Sequence, residues 1–109
     1  MHFCFTANYT PQALEAMKHS TTSRQQAIEK LLEAAGGKLT CFFHTIDEGP
    51  GAIAIFEAEP KDAMAMTALI ASSGAVHNMK FRRLATHDEV LAIRERRREL
   101  QDAYAAPGQ

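Results

Sequence analysis

The chain lacks several features that would assign it to a class of chemistry. No apolar run approaches the ~20 residues that a membrane-spanning helix needs. The opening Met1–Phe5 has no basic stretch ahead of its short apolar segment, so neither a membrane partner nor export is expected and the expected location is cytoplasmic. Charge of one sign is also missing. A formal net charge of −1 provides no field to gather nucleic acid or anionic lipid. The run Arg96-Arg97-Arg98 reads as solvated, salt-bridged surface. Five histidines and two cysteines occur, but HxH, HExxH and CxxC spacings do not, so no metal is expected. Gly36-Gly37 follows a helical pattern and precedes a strand pattern, the reverse of the order that aims N–H groups at a phosphate. The pair therefore reads as a helix cap, and no cofactor is expected.

A length of 109 residues suits one domain that buries roughly two thirds of its unfolded surface. Residues 1–104 read as that domain, and residues 105–109 as a frayed tail. Phe3, Phe5 and Tyr9 alternate with His2, Cys4, Thr6 and Asn8, the period of a half-buried first strand. Thr10-Pro11 supplies an N-cap and a proline at the first helical position. The polar run His19–Ser23 interrupts this helix, Thr22-x-x-Gln25 has the form of a capping box, and Ile28, Leu31, Leu32 and Ala35 make one apolar face ending at Gly36. One bent helix and two consecutive ones both fit.

A second strand over about Lys38–Ile46, a turn at Asp47–Gly51 and a third strand over Ala52–Ala58 follow. The third strand is apolar on both faces and belongs inside a sheet. Pro60 opens a helix closed by Gly74, apolar almost all round and expected to be covered on more than one side. A fourth strand, Val76–Leu84, precedes the capping box Thr86-x-x-Glu89 and a last helix over about Asp88–Tyr104. In that helix Val90, Ile93, Arg97, Leu100 and Tyr104 form a narrow seam suited to packing on another helix, across a subunit interface or on its own domain.

The order β-α-β-β-α-β plus a C-terminal helix is α+β and ferredoxin-like, with a four-stranded antiparallel sheet covered by helices on one face. The third strand would separate Cys4 from Cys41 by about 9 to 10 Å, beyond disulfide reach. The open sheet face leads to the expectation of a homodimer or higher oligomer whose paired sheets enclose a barrel-like cavity.

Asn8-Tyr9-Thr10-Pro11-Gln12, Gly36-Gly37-Lys38, Glu57-Ala58, Ser73-Gly74-Ala75-Val76 and Leu84-Ala85-Thr86-His87-Asp88-Glu89 together resemble the GYD-domain proteins. The resemblance spans most of the chain and implies a small bacterial protein of the dimeric α/β-barrel kind, a family of largely unassigned function. Where that family carries Gly-x-Tyr-Asp, this chain has Glu48-Gly49-Pro50-Gly51, so no role of that tyrosine and aspartate transfers. An aromatic pair that the resemblance implies for the second strand is Phe43-His44 here.

The candidate chemistry is histidine with carboxylate. Strand parity puts His44 on the face of Phe42 and Thr40, taken as the cavity side, close to Asp47 and Glu48 at the turn. An imidazole there could transfer protons near neutral pH, and a neighbouring carboxylate would orient it. His2, Cys4, Thr6 and Asn8 could line the open face with Phe42 and His77, although ordinary strand alternation explains the same stripe. Two readings remain open: a cofactor-independent isomerase, cyclase or lyase using His44 with Asp47 or Glu48, and a ligand-binding or oligomerisation module without turnover.

Overall fold

A computed structural model describes residues 1–108. The elements run β1 (His2–Tyr9), α1 (Pro11–Met17), α2 (Arg24–Ala34), β2 (Lys38–Thr45), β3 (Gly51–Glu57), α3 (Pro60–Ser72), β4 (Val76–Leu84) and α4 (His87–Leu100), with a 3₁₀ turn at Gln101–Ala103. The sheet is antiparallel in the order β2-β3-β1-β4, so the fold is α+β and ferredoxin-like. The expected frayed tail over residues 105–109 reaches Gln109, which lies outside the described residues.

Local chemistry sets most boundaries. The Thr10 hydroxyl accepts from the Ala13 N–H and Pro11 starts α1. Gly36, at φ +75°, ends the α2 segment in the left-handed conformation that a side chain would strain. Gly51 is required for a different reason. A Cβ there would collide with the Ala7 carbonyl of β1, so the strands could not approach. Thr86 and Glu89 form the expected reciprocal capping box of α4. The box expected at Thr22 and Gln25 stands one residue later, at Ser23 and Gln26. The Ser20 hydroxyl accepts from the Thr22 N–H and donates to its C=O, which holds Thr22 in the turn and leaves Ser23 to cap the helix.

The core lies between one sheet face and helices α2 and α3, where Phe3, Leu32, Phe56, Ala63 and Met66 are buried. Phe81 stacks on Phe3 at 5.1 Å between ring centroids. Within the single chain α3 is covered on one side only: Met64 and Leu69 remain 59% and 60% exposed, contrary to the expectation of cover on several sides. Helix α4 buries none of its residues. A radius of gyration of 17.9 Å, against the ~13 Å of a compact chain of about 100 residues, reflects this projecting helix.

The opposite sheet face carries no helix, and pairing arranges it in rows. Cys4 and Cys41 both stand opposite Ile55, and Thr6 and Phe43 both stand opposite Ile53. Lys80 and Arg82 continue these rows on β4. Both cysteines are free thiols, separated by β3 as the strand order requires. Among the described residues no helix is long and apolar enough to cross a membrane.

Candidate functional site

On its helix side the sheet changes character along its length. One end presents Phe3, Phe56 and Phe81, and the other presents Ala7, Ala52 and Ala54 on neighbouring strands. Helices α2 and α3 span both ends, so the missing side-chain volume over the alanines leaves a cleft of about 220 Å³. Phe5, Ile28, Leu31, Phe42, Leu69 and Ile70 wall it.

Polar groups in this cleft are few. Tyr9, at the end of β1, is 9% exposed, and its hydroxyl is sealed from solvent without a hydrogen-bond partner. Burial pushes the Tyr9 phenol above its ordinary pKa, and the positive charge of Arg24 acts in the opposite direction. Arg24 is the first residue of α2 and lines the same cleft. Its side chain is half-buried and enters no ion pair or hydrogen bond among the described residues.

A second, polar recess lies where the β2–β3 turn meets the other face of the sheet. Asp47, Glu48, Thr6, Asn8, Asn78 and Lys80 are among its walls. Asn8 Nδ2 donates to the carbonyls of Glu48 and Gly49 at 3.2 and 3.4 Å, and Asn8 Oδ1 accepts from Asn78 Nδ2 at 3.1 Å. Glu48 and Asn78 both adopt positive φ, at 62° and 53°. The Asn8 side chain is thereby engaged in holding two segments of positive φ.

The structure separates the proposed acid/base group. The register slips by one between Leu39 and Cys41, so parity carried through Thr40 fails. Phe42 pairs with Ala54 and His44 with Ala52, which puts both on the helix side rather than the open face. The Phe42 and His44 rings meet edge-on at 5.3 Å. Asp47 and Glu48 instead accompany Thr6 and Asn8 in the polar recess, and neither pairs with His44. Phe42 therefore does not line the open face with Cys4 and Thr6. His77 is exposed on the open face opposite Asn8. His2 occupies the far end of β1, where Nε2 lies 3.0 Å from Glu57 Oε1 and Nδ1 is sealed without a partner. Among the described residues no three His, Cys, Asp or Glu side chains converge as metal ligands would.

The pair Tyr9 and Arg24 was not singled out from the sequence as a site. Its available signal was the alternation of Ala7 and Tyr9 with Phe3 and Phe5 on the inward face, which marks a gap beside a phenol. A family model described as GYD domain matches residues 3–93, ending inside α4. No curated protein matches the chain.

Proposed function

The chain belongs to the GYD-domain family, and from that premise we propose that it is a homo-oligomeric protein binding a small, largely apolar organic molecule between its sheet and helices α2 and α3. The observation that carries this reading is the cleft over Ala7, Ala52 and Ala54. Its volume of about 220 Å³ lies below the ~300–1,000 Å³ typical of drug-sized ligands, so the occupant is small. Apolar walls favour such a molecule at roughly 0.8 kcal/mol for each buried methylene.

Acid/base turnover by His44 with Asp47 or Glu48 has less support, because a general base must reach the proton it removes and its orienting group must reach the base. One observation keeps a histidine-only version as a second reading: His44 packs against Phe42, a wall of the cleft. Calorimetric titration with small aromatic and branched aliphatic molecules tests the main reading. Ala52→Leu, which fills the cleft floor, should abolish binding while circular dichroism stays unchanged; full affinity in this variant overturns it. His44→Ala should leave affinity intact, whereas its loss would move the assignment to the histidine.

Self-association is supported by the apolar members of two rows on the open sheet face, Cys4, Ile55 and Cys41 in one and Ile53 and Phe43 in the other, with Phe43 65% exposed in the single chain. The seam of α4 adds Ile93, Leu100 and Tyr104. Sedimentation should show a dimer or higher oligomer at micromolar concentration. A stable monomer under those conditions overturns this part of the proposal.

A further inference from the structure

We propose that the cleft takes a small monocarboxylate, its carboxylate held by Arg24 and the Tyr9 hydroxyl and its apolar body lying along Phe5, Ile28, Leu31 and Phe42. This inference rests on the reading of the cleft as a binding site and adds the charge and head group of its occupant.

Arg24 is the only lysine or arginine among the described residues that is not exposed. A half-buried arginine in an apolar wall normally has a carboxylate beside it, and among the described residues this one has none. Its position makes the deficit larger. As the first residue of α2 it stands at the positive end of the helix dipole, and no acidic residue occupies that first turn. This positive end, with which no carboxylate pairs among the described residues, favours a negative ligand group.

Tyr9 supplies the second observation. Its side chain is nine-tenths buried in the wall of the same cleft, and its hydroxyl has no acceptor. An unsatisfied buried hydroxyl is costly, and a small shift of the Tyr9 side chain that opened this one to a ligand oxygen would satisfy it. A carboxylate fits both groups, because its two oxygens match the guanidinium fork and remain acceptors for a phenol.

The rest of the lining limits the class further. With a single cation present, a phosphate monoester would bring a second negative charge without a counterpart. Sugars and nucleosides would bury hydroxyls against Ile28, Leu31 and Ile70, which offer no partners. A compact aromatic or branched aliphatic body with one terminal carboxylate matches the apolar walls and the single cation.

Calorimetry with 3-phenylpropionate and its uncharged amide, 3-phenylpropionamide, tests this on the full chain. Wild type should bind the acid at least tenfold more tightly than the amide. Arg24→Gln should erase that preference while leaving amide affinity unchanged, Arg24→Lys should restore part of it, and Tyr9→Phe should weaken the acid severalfold more than the amide. Equal binding of acid and amide by wild type, or a preference that survives Arg24→Gln, overturns the head-group assignment and leaves the cleft reading standing. Binding of neither probe overturns the cleft reading and this inference with it.

Discussion

Asn78 Nδ2 donates to Asn8 Oδ1 at 3.1 Å, joining the start of β4 to the last residues of β1. The same Asn8 side chain donates to the carbonyls of Glu48 and Gly49, so one amide fixes both the β2–β3 turn and the irregular start of β4. Glu48 holds a positive φ that its side chain disfavours, whereas asparagine tolerates the same conformation at position 78. Asn8→Ala should therefore lower stability by about 0.5–1.5 kcal/mol, because the carbonyls and amide it releases lie at a part-exposed site that water can reach. Urea denaturation measures this, and Asn8→Asp should be nearly as damaging because it removes both donated bonds. An unchanged midpoint in Asn8→Ala would show that backbone pairing alone holds the turn.

Gly36 separates conformation from space. A Cβ placed at Gly36 would meet no atom within 4 Å, whereas a Cβ at Gly51 meets the Ala7 carbonyl and the Thr45 hydroxyl. Gly36→Val should cost about 1–2 kcal/mol from its left-handed backbone alone. Gly51→Ala should cost more, because β1 and β3 must move apart to admit it. Denaturation midpoints of the two variants check the order, and a Gly36→Val midpoint equal to wild type would contradict the cap.

These contrasts show which features were legible in the sequence. Thr10-Pro11, Thr86-x-x-Glu89 and Gly36 act through bonds to residues a few positions away, so their patterns located three helix boundaries. Consecutive hydroxyls made the start of α2 ambiguous, and a bond from Ser20 decided it. The face of His44 depended on a register slip near Thr40 that forms only against β3. The cleft depended on Ala7 meeting Ala52 across the sheet, and the burial of Arg24 on helix packing, both outside the reach of local pattern.

The start of α4 should respond to acid. The Thr86 backbone N–H, then its hydroxyl, hold the Glu89 carboxyl below its ordinary pKa, with a smaller contribution from Arg83. A carboxylate whose folded pKa is depressed contributes stability that is present above the unfolded pKa and disappears as pH falls through the folded value. Glu89→Gln keeps a capping-box side chain but removes the charge. Exchange of the backbone amide proton at position 89 should be faster in the variant near neutral pH, and the two proteins should converge in acid. A difference that persists at low pH would assign the effect to hydrogen-bond geometry rather than charge.

The last prediction uses the thiols as reporters of the proposed sheet pairing. Cys4 and Cys41 flank Ile55 on the open face, and both are half-buried in the single chain. A second copy laid over this face would seal both sulfurs from reagents. Ile55→Lys would bury a charge in the centre of that contact, in the same row as Arg82, where neither desolvation nor like-charge repulsion is compensated. Alkylation should therefore be slow for both thiols in wild type and fast in Ile55→Lys, with sedimentation moving from oligomer to monomer in the same variant. Rapid alkylation of both thiols in a protein that still sediments as an oligomer would transfer the interface to α4 or a sheet edge. Unchanged sedimentation of Ile55→Lys would move the interface off this face by an independent route.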